Sequence, residues 1–140
     1  MILTVRILVV DDAAHWHKFV DFILRIAPEL EIVSHASSGH EAVTKAEEFR
    51  PSVVLLDIGL PGISGLEAGR RILASIPDTK LIFLTVQADL DLVHEALRTG
   101  AAAYVLKTDA ASQLVTAIQS AMNGQVFLSH SLPPTLGTIQ

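Results

Sequence analysis

Short apolar runs rich in β-branched residues recur at nearly even spacing along the chain, and segments with helical periodicity separate them. The runs begin near the following residues: Val5, Leu30, Val53, Lys80 and Ala103. The first helical segment, for example, carries Trp16, Val20 and Ile23 on one face. Five alternations of strand and helix predict an α/β fold, in which a five-stranded parallel sheet is doubly wound by crossover helices on both faces.

Turn and cap residues divide these elements. Prolines precede the second, third and fourth strands, at Pro28, Pro51 and Pro77. Gly100 follows the fourth helical segment as a C-cap, and Ser64 with Glu67 predicts a capping box at the start of the third. The pattern ends near residue 128, so we predict one domain over residues 1–128 and a linker or tail over 129–140.

Polar side chains stand where four of the predicted strands end. Asp11 and Asp12 follow the first strand, and Asp57 follows the third. Thr85 ends the fourth strand and Lys107 ends the fifth. Because a doubly wound sheet gathers the carboxyl ends of its parallel strands at one edge, we expect these side chains to form one site.

Three carboxylates in one small site repel each other, by roughly 4 kcal/mol per pair at about 4 Å and an effective dielectric constant near 20. A cation must balance them, and hard oxygen ligands without His or Cys favour Mg²⁺. A carboxylate beside bound Mg²⁺ can attack a phosphoryl group and form an acyl phosphate, while a lysine ammonium and a threonine hydroxyl contact the phosphoryl oxygens. This set of groups is typical of aspartyl phosphorylation.

Each of these residues also has an ordinary structural explanation. Asp12 can be an N-cap or loop residue, Thr85 a β-branched strand residue, and Lys107 a solvated surface lysine. The placement of all of them at one edge of one sheet favours the functional interpretation.

Composition excludes several other functions. With 10 Lys and Arg against 15 Asp and Glu, the net charge of −5 does not favour binding to nucleic acids or anionic membranes. The chain has no cysteine, which excludes disulfides and thiolate chemistry. No apolar run approaches the roughly 20 residues of a membrane span, and the first residues lack a signal-peptide pattern, so we expect a cytoplasmic protein.

The sequence resembles the receiver domain of two-component response regulators from residue 5 to about residue 128. Four motifs carry the resemblance: Ile7–Asp12, Val54–Glu67, Phe83–Thr85 and Tyr104–Lys107. The resemblance implies a flavodoxin-like (βα)5 sheet with the strand order 2-1-3-4-5. Residues Thr108–Ala110 and Gly124–Ser129 resemble the subgroup whose receiver precedes a NarL/LuxR-type helix-turn-helix.

The resemblance also implies a role for each site residue. Asp57 would be the phosphoacceptor, and Lys107 would contact the phosphoryl group. Asp11, Asp12, Asp57 and the backbone carbonyl of Gly59 would hold Mg²⁺. Such a domain is not an enzyme with an external substrate, because it catalyses only its own phosphorylation and dephosphorylation.

The implied switch and partners follow from the same resemblance. Thr85 would be the switch hydroxyl that moves toward the phosphoryl group, and Tyr104 would reposition with it, so that the surface of the fourth helix, fifth strand and fifth helix changes. The phosphodonor would be a sensor histidine kinase or a phosphotransfer protein. Homodimerisation of this chain on phosphorylation would be a further consequence, since the first and fifth helices form the dimer surface in some relatives. DNA would be bound only through an output domain absent from these residues, so the receiver either belongs to a longer protein, which we favour, or acts as a single-domain regulator.

Two other functions compete with this one. A Mg²⁺-dependent phosphohydrolase could use Asp57 as its nucleophile, but Gly59, two residues beyond, is not an acid that could protonate a leaving group. A degenerate receiver could act as a phosphorylation-independent protein-binding module. A histidine metal site is disfavoured, because His15 and His17 lie two residues apart on a helix and do not face each other. For Trp16, we expect packing on the helix face rather than ligand binding.

Overall fold

A computed structural model describes residues 4–133 of the chain and shows one parallel sheet with helices on both faces. The strands are β1 (Val5–Val10), β2 (Leu30–Ala36), β3 (Val53–Leu56), β4 (Lys80–Thr85), β5 (Ala103–Leu106) and β6 (Phe127–Leu128). The helices are α1 (Ala14–Leu24), α2 (Gly39–Phe49), α3 (Gly65–Ser75), α4 (Leu90–Thr99) and α5 (Ala110–Met122), and a 3₁₀ turn spans Lys107–Asp109. The α/β prediction is therefore confirmed.

The sheet has six strands within the described residues, in the order β2-β1-β3-β4-β5-β6, so the prediction of five strands was wrong in number. The additional strand, β6, pairs in parallel with β5 through Ala103 opposite Phe127 and Tyr104 opposite Leu128. A strand of two residues is too short to show any periodicity in the sequence, which is why the pattern missed it. The first five strands keep the expected order 2-1-3-4-5.

The alternation of side chains along each strand divides the core into two layers. One layer joins the sheet to α2, α3 and α4, and its strand residues include Leu8, Val10, Val54, Leu56, Phe83 and Tyr104. The other layer joins the sheet to α1 and α5, and its strand residues include Ile7, Val9, Val53, Leu55, Ile82 and Leu84. Because both faces are covered, all four residues of β3 and of β5 are buried.

Helix caps match the sequence in two places and differ in one. Gly100 ends α4 with a positive φ of 108°, a conformation that glycine adopts without strain. The Ser64 side chain accepts a hydrogen bond of 3.1 Å from the backbone N–H of Glu67 and caps α3. The reciprocal half of the predicted capping box is absent from the described contacts, because the Glu67 carboxylate pairs with Arg70 and Arg71 instead.

The chain after β6 lies against the domain as far as residue 132. Leu132 is buried, and Ser129 and Ser131 donate hydrogen bonds to Asp109. Residues 134–140 of the predicted tail lie outside the described residues, and the domain boundary at residue 128 stays a prediction. Between residues 4 and 133, no helix has the length and apolar character that crossing a membrane requires.

Candidate functional site: the carboxyl edge of the sheet

The register of the two central strands sets the site. Val10 of β1 lies opposite Leu56 of β3, so Asp11 and Asp57 leave neighbouring strands at the same level. The backbone N–H of Asp57 donates a hydrogen bond of 3.1 Å to the carbonyl of Val10, which holds the two strand ends together. The carboxylates therefore emerge side by side at the carboxyl edge of the sheet.

Three acidic side chains meet at this edge. Asp11, Asp12 and Asp57 each offer a carboxylate oxygen, and these oxygens lie within 4.8 Å of one another. Asp11 and Asp57 are buried, whereas Asp12 is exposed at the opening. One Asp11 oxygen also accepts a hydrogen bond of 2.9 Å from the backbone N–H of Ala13, which fixes the orientation of this carboxylate.

Lys107 supplies the cation of the site. Its Nζ lies 2.7 Å from Asp11 Oδ2 and 3.1 Å from Asp57 Oδ2, and only 7% of its side chain is exposed. The formal charges of three carboxylates and one ammonium sum to −3 + 1 = −2. A divalent cation would neutralise this charge, and the all-oxygen donor set suits Mg²⁺. The residues present thus fit a magnesium site.

Two glycines near Asp57 have different roles, one leaving open space and the other allowing a close backbone approach. The backbone N–H of Gly59 lies 3.4 Å from Asp57 Oδ1, and a Cβ at position 59 would have only Gln87 Nε2 nearby, at 3.9 Å. A Cβ at position 65 would instead lie 1.9 Å from the backbone oxygen of Asp57. The first residue of α3 must therefore be glycine for the helix to begin this close to the end of β3.

Thr85 and Tyr104 share one partner, the backbone of Gln87. The Gln87 N–H donates a hydrogen bond of 3.3 Å to Thr85 Oγ1, and the Tyr104 hydroxyl donates one of 2.7 Å to the Gln87 carbonyl. Both Thr85 and Tyr104 are fully buried. Burial raises the pKa of the Tyr104 phenol well above its usual value, and the charges of Asp57 and Asp89 add to the increase.

The structure therefore brings Asp11, Asp12, Asp57 and Lys107 into direct proximity. Thr85 lies at the same edge, but its described hydrogen bond joins it to Gln87 and not to Asp57. Sequence reasoning missed the Gln87 backbone as the link between Thr85 and Tyr104. The residue type at position 87 does not indicate such a link, because any residue except proline offers the same backbone N–H and carbonyl.

Sequence reasoning also missed two contacts from the first turn of α1. The Trp16 ring packs on the core as expected, and in addition lies beneath Lys107, whose Nζ is 4.7 Å from the ring centroid. His17 Nε2 donates a hydrogen bond of 2.7 Å to the Asp11 carbonyl. The sequence signal that could have indicated these contacts is the position of Trp16 and His17 shortly after the Asp11–Asp12 pair.

The other ring nitrogen of His17 faces His35. Their Nδ1 atoms are 2.6 Å apart, so one of the two carries the proton of this contact. Burial and the neighbouring His17 lower the pKa of His35, Asp21 opposes them, and Lys45 contributes a smaller decrease. The pair buttresses the start of α1 against β2 beside the acidic cluster.

Comparisons with known proteins place these features in a family. The family model described as "Response regulator receiver domain" matches residues 7–119. The response regulator GacA of Pseudomonas viridiflava is 37% identical over 132 residues, which cover 94% of this chain and 62% of that protein. The transcriptional regulatory protein DegU of Brevibacillus brevis is 33% identical over 124 residues, which cover 89% of this chain and 52% of that protein.

Solved structures show the same fold. A LuxR-family two-component response regulator from Aurantimonas sp. SI85-9A1 has a TM-score of 0.86 and 27% identity, with 96% of this chain and 94% of that one covered. The response regulator domain of Thermotoga maritima CheB has a TM-score of 0.80 and 33% identity, with 86% and 97% covered. The chain spans only about half to three fifths of the length of the curated relatives it matches.

Proposed function

The chain belongs to the response regulator receiver family, and on that premise we propose that Asp57 accepts a phosphoryl group from a sensor histidine kinase or a phosphotransfer protein. The observation that carries the proposal is the position of Lys107 Nζ, which lies between the Asp11 and Asp57 carboxylates in a buried, acidic site. A lysine with no role in this site would be expected at the solvent-exposed surface, since burying an ammonium requires partners.

The proposed transfer uses the groups at this edge. A carboxylate oxygen of Asp57 attacks the phosphorus of a phosphohistidine, the new P–O bond forms as the P–N bond breaks, and the imidazole leaves with the electron pair. The Lys107 ammonium offsets the negative charge of the phosphoryl oxygens. A Mg²⁺ bound by Asp11, Asp12, Asp57 and the Gly59 carbonyl would add charge neutralisation and orient those oxygens.

The proposed switch follows from the shared contact at Gln87. A phosphoryl group adds about −1.5 to −2 charge and three strong acceptors, which the Thr85 hydroxyl can reach only by turning toward Asp57. That movement disturbs the Gln87 N–H bond to Thr85, and the Gln87 carbonyl ties the loop to Tyr104. Shifting the equilibrium between the resting and the switched conformation from 1:99 to 99:1 needs about 5.5 kcal/mol of differential stabilisation. A few charge-assisted hydrogen bonds to the phosphoryl group can supply it.

We propose transcription control as the output, through a DNA-binding domain outside these residues. The resemblance to LuxR-type regulators supports this, as do the relatives named above. We also propose homodimerisation on phosphorylation, and the α1 patch, formed by Phe19 and Phe22 of α1 with Ile26 just beyond it, supports a contact surface for a second copy. Phe22 and Ile26 are 67% and 81% exposed, and large apolar side chains exposed together mark an interaction surface.

The alternatives make different predictions. A phosphorylation-independent binding module would keep the fold without taking up a phosphoryl group. A phosphohydrolase would turn over a phosphate monoester many times, yet nothing acidic stands at position 59 to protonate its leaving group. The intact acidic cluster with Lys107 favours the receiver function over both.

The test is incubation with acetyl phosphate and Mg²⁺, followed by intact-mass measurement. We expect one phosphoryl adduct on the wild-type chain and none on Asp57→Ala. Asp78→Ala, which removes an exposed carboxylate far from the site, should be phosphorylated like the wild type. Absence of the adduct on the wild type would refute phosphotransfer and support the binding module, whereas repeated hydrolysis of a monoester would support the phosphohydrolase.

A further inference from the structure

We propose that Trp16 is a positioning residue for Lys107. Its indole face holds the Lys107 ammonium between Asp11 and Asp57 before the phosphoryl group arrives. The proposal rests on the proposed function, since it assigns Trp16 a part in the same phosphotransfer. It concerns a side chain that touches neither the acidic cluster nor any reacting atom among the described contacts. Trp16 would act through Lys107 alone.

The surroundings of the Lys107 ammonium show what Trp16 adds. Two carboxylates contact Nζ, at 2.7 Å from Asp11 and 3.1 Å from Asp57. The Trp16 ring lies 4.7 Å away, measured to its centroid, which is within the range of a cation–π interaction. The ring therefore gives the ammonium a third neighbour besides the two carboxylates, and this neighbour carries no charge.

Trp16 is itself held in place. Its backbone N–H bonds to the Ala13 carbonyl in the first turn of α1, at 3.0 Å. Its ring packs against the buried layer under α1 and α5, and Phe19 meets it edge-on with 5.1 Å between ring centroids. A ring fixed on two sides can restrict a flexible lysine side chain, which a mobile ring could not do.

An aromatic face suits this position better than another carboxylate. A third anion beside Nζ would compete with the incoming phosphoryl oxygens for the ammonium. The neutral indole attracts the cation without taking part in ion pairing, so the charge stays available. Asp11 is a proposed metal ligand, so its contact with Lys107 competes with a second role, whereas Trp16 has no such role.

The kinetic test compares three substitutions. Trp16→Leu removes the π face, and we expect its rate of phosphorylation by acetyl phosphate to fall about two- to thirty-fold. Trp16→Phe keeps an aromatic face and should recover most of that loss. Phe49→Leu is the matched control, because it removes a half-buried aromatic ring at the far end of α2, and its rate should equal that of the wild type.

A spectroscopic measurement tests the contact without phosphorylation. Ring currents should shift the Lys107 ε-methylene protons upfield relative to those of Lys18, Lys45 and Lys80 in the wild type and in Trp16→Phe, but not in Trp16→Leu. Trp16 is also the single tryptophan of the chain, so Lys107→Met should change the intrinsic emission. If Trp16→Leu does not fold, the wild-type spectrum and that of Trp16→Phe still show whether the ring contacts Lys107.

The outcomes separate this inference from the proposed function. If the wild type is phosphorylated and Trp16→Leu reacts at the same rate, the positioning role is wrong and the proposed function stands. The role is also wrong if Trp16→Phe is as slow as Trp16→Leu, or if the Lys107 protons are unshifted in the wild type. If the wild type takes up no phosphoryl group, both fail together, and shifted Lys107 protons would then establish only a structural contact.

Discussion

The hydroxyl of Tyr104 donates a hydrogen bond of 2.7 Å to the backbone carbonyl of Gln87, seventeen residues earlier in the chain. This bond joins β5 to the loop that follows β4. It also fixes the ring in the buried position, where it packs against Phe83 with 6.3 Å between centroids. The loop that follows Thr85 is thus attached to β5 by the Tyr104 phenol.

The buried phenol leads to a prediction about alkaline pH. Because the pKa of Tyr104 is raised in the folded state, the unfolded chain loses this proton first, and folding stability should fall as pH rises above about 10. Below that value the contribution is fully present. Tyr104 is the single tyrosine, so its phenolate absorbance should appear together with unfolding. Tyr104→Phe should weaken this pH dependence, and a phenol that titrates near pH 10 in the folded protein would contradict the prediction.

The sequence predicted the strands and helices better than the side-chain contacts between them. All five expected strand starts are confirmed, because buried parallel strands need unbroken apolar runs that differ visibly from helical periodicity. β6 was missed, since two residues of strand depend on the free edge of β5 and not on their own pattern. The tertiary context thus decided the sixth strand.

The same division holds at the site. Strand ends predicted that Asp57 and Lys107 would share an edge, because topology alone fixes where parallel strands finish. The contact of Lys107 with Trp16 depends on the rotamers of two side chains 91 positions apart in the chain, and no local pattern encodes it. The prediction of a full capping box at Glu67 was wrong for a related reason. The Glu67 carboxylate pairs with Arg70 and Arg71, and the motif takes no account of such charged neighbours.

The close approach of α3 to Asp57 predicts that any side chain at position 65 destabilises the fold. In Gly65→Ala the new Cβ would meet backbone atoms of Asp57 and Ile58, which cannot move aside as side chains do. We expect a loss of about 1–3 kcal/mol in the free energy of unfolding, measured by urea titration, with slower phosphorylation. Gly59→Ala is the control, because its Cβ finds only Gln87 Nε2 at 3.9 Å and should change stability by less than about 0.5 kcal/mol. Equal effects of the two substitutions would contradict this account.

A third prediction concerns the buried Asp109, which lies in the same 3₁₀ turn as Lys107. Burial alone raises the pKa of its carboxyl, but hydrogen bonds from Ser129 and Ser131, with the nearby His130, outweigh burial and hold the pKa below its usual value. Asp109 therefore stabilises the fold above about pH 4, and this contribution is lost as pH falls through the lowered folded pKa.

Asp109→Asn tests this contribution. At neutral pH the substitution should lower the free energy of unfolding by about 1–2 kcal/mol, because hydrogen bonds to a charged acceptor are stronger than those to a neutral one. The difference from the wild type should shrink as the pH falls below about 4. Asp78→Asn, at an exposed position, should show neither effect. A constant difference at all pH values would mean that shape, not charge, matters at position 109.

The α1 patch predicts the surface used for self-association. Phe22 is 67% exposed and faces a groove that Ala111 and Val115 of α5 also line, so a second copy could bury it without rearranging the core. We expect beryllofluoride and Mg²⁺ to promote a dimer, and Phe22→Ser to weaken that dimer at least about tenfold, since burial of a phenylalanine contributes roughly 1.5–3 kcal/mol. Sedimentation velocity measures the dimer, and Val126→Ser, at an exposed apolar position beside β6, is the matched control. An unchanged dimer in Phe22→Ser together with a weakened one in Val126→Ser would move the interface from α1 to the β6 edge.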